Sequence, residues 1–61
     1  MTPIQKIAYD SLRALGYAYE STDRDGSIDM IDRATKHRIT LYPDATLYEL
    51  RGGKYVSVTF R

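Results

Sequence analysis

The sequence predicts an α+β fold: one N-terminal helix packed on one face of a five-stranded antiparallel β-meander, in the order α-β-β-β-β-β. Three observations carry this. Apolar residues recur at helical spacing over residues 2–15. From Tyr17 onward the period drops to two. Turn chemistry at Asp25-Gly26, at the 33–36 link, at Pro43-Asp44 and at Gly52-Gly53 then cuts the remainder into short runs.

The helix carries signals at both ends. Thr2 is a good N-cap, Pro3 fits the first helical position, and Gln5 stands three residues after Thr2, as a capping box needs. Ile4, Ile7, Ala8, Leu12 and Leu15 form one apolar stripe that is expected to cover the sheet. Lys6, Asp10 and Arg13 lie off it. Gly16 stops the helix, and Tyr17 is placed to fold back onto Leu12.

Strands are expected near 17–22, 27–32, 37–42, 46–50 and 54–60. Their facing is argued from the repeated Thr-Leu-Tyr at 40–42 and 46–48. Ile39 and Leu41 alternate with Arg38 and Thr40, so Ile39 and Leu41 face the helix. Turning Leu47 inward would bring Glu49 and Arg51 with it, and an unpaired buried charge costs several kcal/mol in order of magnitude. The expectation is therefore Thr46, Tyr48 and Leu50 inside, with Leu47 outside. A four-residue loop, Tyr42-Pro43-Asp44-Ala45, then pairs Leu41 with Thr46. A three-residue loop, Arg51-Gly52-Gly53, pairs Leu50 with Lys54 and turns Val56, Val58 and Phe60 inward. A tight turn around Ala34-Thr35 pairs Met30 with Ile39. Arg38 falls opposite Glu49 on the outer face. Tyr17, Tyr19 and Phe60 close the core margins.

A chain of 61 residues is read as a single domain over residues 1–61, and such a domain buries only about 60% of its unfolded surface. With no Cys there is neither disulfide nor thiolate metal site, which suits a reducing compartment. No apolar run of membrane-spanning length and no leader-like segment is legible, so a cytoplasmic setting is expected.

Formal net charge is +1, but it is unevenly spread. Glu20, Asp23, Asp25, Asp29 and Asp32 crowd residues 20–32, whereas Arg33, Lys36, Arg38, Arg51, Lys54 and Arg61 dominate residues 33–61. In a meander alternate loops share an end, so the expected molecule is basic at one end and acidic at the other.

Little catalytic chemistry is legible. His37 is the single histidine, which leaves a triad or a His-rich metal site without parts. By register it falls opposite Asp32, as a surface pair. Residues 21–32 match part of a calcium loop, with Asp23, Asp25, Gly26 and Asp29 at suitable offsets. Ser21 and Asp32 occupy the two decisive positions where Asp and Glu belong, and a hairpin turn explains Asp25-Gly26 more simply. Gly52-Gly53 lacks the spacing and following helix of a phosphate loop. No cofactor, no metal and no enzymatic activity are expected.

The reading that remains is a small non-enzymatic protein-binding module, acting stoichiometrically as a regulator, adaptor or inhibitor of a larger protein. Arg38, Tyr42, Leu47 and Tyr55 are the expected contact residues, because exposed aromatics beside Arg favour interface centres. The last strand, Lys-Tyr-Val-Ser-Val-Thr-Phe, offers a free edge for a homodimer or for strand addition. The alternative is a nucleic-acid-binding domain. Arg33, Lys36, Arg51 and Lys54 would meet phosphates, and exposed Tyr and Arg on the open sheet face would stack on bases.

Overall fold

The computed structural model describes residues 1–58, apart from the side chains of Arg51 and Val58. Helix α1 spans Pro3–Ala14, and five strands come after it: β1 Tyr17–Thr22, β2 Ile28–Asp32, β3 His37–Leu41, β4 Leu47–Arg51 and β5 Lys54–Val58. They form one antiparallel sheet in sequential order, with α1 against one face. The α+β meander expected from the sequence is the observed fold. The inward facing expected for Phe60 lies outside the described residues.

Thr2 caps α1 through a complete capping box: its side chain accepts from the Gln5 amide, and the Gln5 carboxamide accepts from the Thr2 amide at 3.2 Å. Gln5 does more than cap. It is 1% exposed, and its Nε2 donates to the carbonyls of Gly26 at 2.9 Å and Leu41 at 3.1 Å. The Thr2 hydroxyl also donates to the Pro43 carbonyl. One helical turn thereby ties both loops at this end of the sheet to the helix. The loops also touch each other, since a Cβ on Gly26 would stand 3.4 Å from the Pro43 ring.

The stripe expected to cover the sheet is only partly used. Gln5, Ala8 and Leu12 are buried, and Tyr9 packs against the core. Ile4, Ile7 and Leu15 remain more than half exposed. The helix is rolled so that the Gln5 side chain reaches the carbonyl of Gly26 in the β1–β2 loop and that of Leu41 at the end of β3. A buried amide with satisfied partners costs little, whereas a buried carboxamide left without partners would cost about 1–3 kcal/mol.

Among the described residues the core is Ala8, Leu12, Ile28, Met30, Ile39, Leu41 and Leu47. The β2–β3 register agrees with expectation, with Met30 opposite Ile39 and Ile28 opposite Leu41. From β3 to β4 it does not. Leu41 pairs with Leu47 rather than Thr46, and Ile39 pairs with Glu49. The loop is one residue longer than expected: the Tyr42 amide bonds the Thr46 carbonyl at 2.9 Å, and Ala45 takes φ 71°. Ala45 thus fills the left-handed bulge position that closes a type I turn over Pro43-Asp44. That extra residue turns the whole of β4 over. Leu47 is core at 5% exposure, Glu49 faces the helix side, and Tyr48 and Leu50 face out.

The last hairpin compensates. Gly52 and Gly53 both have positive φ, 54° and 81°, and form a two-residue turn that pairs Arg51 with Lys54 and Leu50 with Tyr55. The three-residue loop is not formed. Having turned over once, the chain needs the shorter loop to place Val56 opposite Glu49, on the helix side.

Candidate interaction face on the open side of the sheet

Residues on the outer face are set by the register. Ala18, Ile31, Arg38, Leu50 and Tyr55 come from successive strands, as do Ser21, Asp29, Thr40, Tyr48 and Ser57. Glu20, Asp29, Arg38, Thr40, Leu50 and Tyr55 surround a shallow cavity of about 170 Å³ whose floor is the Met30–Ile39 backbone.

Its walls differ in rigidity. Asp29 is fixed from both sides, accepting from Ser21 Oγ at 3.0 Å and from Thr40 Oγ1 at 2.9 Å. Arg38 reaches Glu20 at 3.4 Å, so its cross-strand partner is not Glu49. The guanidinium is more than half exposed, and such a pair contributes little to folding stability. Leu50 and Tyr55 form the apolar wall, at 38% and 65% exposure. Beyond them Tyr42 and Tyr48 stack edge to face, with centroids 5.1 Å apart and planes at 76°.

Of the residues expected to bind a partner, Arg38, Tyr42 and Tyr55 belong to this open side, Tyr42 half-buried against Tyr48. Leu47 does not. It is buried in the core, and the expectation for it is corrected by the flip of β4. Leu50, Tyr48 and Glu20 take part instead. The strict alternation of Leu47 and Glu49 against Tyr48 and Leu50 held the signal for this. What hid it was the assumption that an inward Glu49 has no partner.

One partner is His37. Its Nε2 lies 2.8 Å from Glu49 Oε2, and its Nδ1 lies 2.8 Å from the Tyr17 hydroxyl. His37 stands opposite Asp32 in the ladder, as expected, but its ring bonds these two side chains. One neutral tautomer satisfies both contacts: Nε2–H donates to Glu49, and Nδ1 accepts from Tyr17. Burial, then the nearby Asp32 charge, push the Tyr17 phenol above its ordinary pKa.

The two ends of the sheet are chemically distinct. Arg33, Lys36 and Lys54 are exposed at the end that carries the β2–β3 and β4–β5 loops, and Arg51 ends β4 there. Asp23, Asp25 and Asp44 are exposed at the other end. In the β1–β2 loop Asp25 accepts from the Ser27 amide at 2.9 Å and from the Ser27 hydroxyl, which lowers its pKa. Asp23 is raised, chiefly by the charge of Asp29. Among the described residues no group of three or more His, Cys, Asp or Glu is arranged to hold a metal ion, and no helix is long and apolar enough to cross a membrane.

No family model, no curated protein and no solved structure matches this chain.

Proposed function

We propose that the chain is a non-enzymatic protein-binding module that engages a larger protein stoichiometrically, as a regulator, adaptor or inhibitor. The observation that carries this is the outer face of the sheet, which no described element covers. There Leu50 and Tyr55 stand exposed beside Arg38, around a cavity walled by fixed polar groups. Aromatic, aliphatic and Arg side chains at the centre with satisfied polar groups around them is the composition of an interface centre and its rim. The single-layer sheet offers this face without any rearrangement, which limits the ordering cost of binding. A cytoplasmic setting belongs to the same reading, as does self-association through the last strand.

The experiment is quantitative capture of partners from lysate by the wild type and by Leu50→Asp and Tyr55→Asp, with circular dichroism as the control on folding. Loss of the same partner by both folded variants supports the reading. Undiminished capture by both would refute it.

A further inference from the structure

We infer that β5 is a self-pairing edge, and that two copies join antiparallel through Tyr55, Val56 and Ser57 into one continuous ten-stranded sheet. The pairing deepens the self-association named above, and it does not depend on which protein occupies the outer face.

The two edges of the sheet are built differently. β1 is guarded: its register shifts between Tyr19 and Ser21, so Glu20 is an extra residue, and its carboxylate holds Arg38 across the sheet. A bulge and a charge are two common devices that stop an edge from pairing with another chain. β5 has neither. Its pairing with β4 is regular from Lys54 to Val58, and Tyr55, Val56 and Ser57 are exposed and uncharged.

The ladder fixes which backbone groups are free. Across a two-residue turn the closing pair, Arg51 with Lys54, is hydrogen-bonded. Alternation then directs the amide and carbonyl of Val56 toward β4 and those of Tyr55 and Ser57 outward. A twofold axis beside Val56 sets Tyr55 opposite Ser57 of the second copy, and Ser57 opposite its Tyr55. Each pair exchanges both of its bonds. Val56 meets Val56 of the second copy at the close, non-hydrogen-bonded spacing. It is 43% exposed on the helix side, where this contact would cover it.

Charge selects the antiparallel arrangement. It lays the basic end of one copy, with Arg33, Lys36 and Lys54, along the acidic end of the other, with Asp44 on its β3–β4 loop. Parallel addition would set like ends together. The dimer also extends the outer face, since Tyr55, the last wall of the cavity, gains Ser57 of the second copy as its neighbour.

Analytical ultracentrifugation tests this. The full chain is expected to show a monomer–dimer equilibrium with a dissociation constant below roughly 100 μM. A chain that stays monomeric at about ten times that concentration overturns the proposal. Val56→Lys and Val56→Glu each set like charges face to face across the axis, and each should weaken dimerisation about 5-fold or more. An equimolar mixture of the two should dimerise again. Unweakened dimerisation of Val56→Lys, or folded variants that fail to recombine, would overturn the register. Should either variant fail to fold, Ser57→Pro removes an outward amide while sparing the ladder to β4. It should also be monomeric, and a dimer of normal affinity would again refute the edge.

Discussion

Glu49 Oε2 lies 2.8 Å from His37 Nε2 on the helix side of the sheet, and this contact offsets the cost of the facing that the Ala45 bulge imposes on β4. An inward Glu49 would be costly alone. With the imidazole opposite, the strand can turn Leu47 into the core and leave Leu50 to the outer face. His37→Ala is expected to destabilise the domain by about 1–3 kcal/mol, because it removes a partner from both Glu49 and Tyr17. Urea denaturation of the variant against the wild type measures this.

Leu47 and Leu50, three residues apart, should respond oppositely to the same change. Leu47→Ala removes a core side chain at 5% exposure and should cost roughly 2–5 kcal/mol. In so small a domain Leu47→Asp should abolish the fold in circular dichroism. Leu50→Asp, on the outer face, should leave the spectrum and the melting temperature nearly unchanged.

Gln5 joins three parts of the chain, so Gln5→Ala should lose more than a cap. Thr2→Ala is expected to cost about 1 kcal/mol, a usual value for an N-cap. Gln5→Ala should cost more, because the carbonyls of Gly26 and Leu41 each lose a donor along with the cap. Hydrogen exchange should show the loss at the loop end of the sheet first.

Lys36 is exposed and held at φ 64°, in the left-handed region. Lys36→Gly should stabilise the domain by up to about 1 kcal/mol, the cost of that conformation for a side chain less the extra freedom of glycine in the unfolded state. A lowered denaturation midpoint would show that the lysine side chain contributes more than its backbone strain.

Tyr17 gives an alkaline signature. Its pKa is raised in the folded state, so the neutral phenol is favoured by folding. That contribution is complete below the unfolded pKa near 10 and is lost as pH rises through the higher folded value. Stability should therefore fall on the alkaline side, and the fall should be smaller in Tyr17→Phe. Asp25 and Asp44 act in the opposite sense. Ser27 and Thr46 lower their pKa values, so their contribution is present above the unfolded value and fades as pH falls below it. Denaturation midpoints of the wild type and Tyr17→Phe across the pH range read both limbs.

Much of this architecture was legible in residues whose roles are local. Thr2 and Gln5 announce the helix start. Ile28 and Met30 with Ile39 and Leu41 fix the β2–β3 register, because alternation and turn length agree. The β3–β4 connection was not legible, because its bulge sits on Ala45 rather than on a glycine. That single residue determines the facing of β4, the burial of Leu47 and the exposure of Leu50. Arg38 and Tyr42 lie before Ala45 and face the open side as the β2–β3 register dictates, whereas Tyr55 does so because the longer loop at Ala45 and the shorter one at Gly52-Gly53 offset each other beyond β4. The His37–Glu49 contact was hidden for another reason: it joins strands through side chains, and no local pattern encodes it.

The proposed binding of a partner protein at the outer face of the sheet is tested most directly by a photo-crosslinking amino acid placed in turn at Leu50, at Tyr55 and at exposed Ile7 on the helix, in the cells that make the protein. One discrete adduct, shared by positions 50 and 55 and absent from position 7, is the expected result. Adducts formed from position 7 alone would contradict the claim, and would transfer the interaction to the helix.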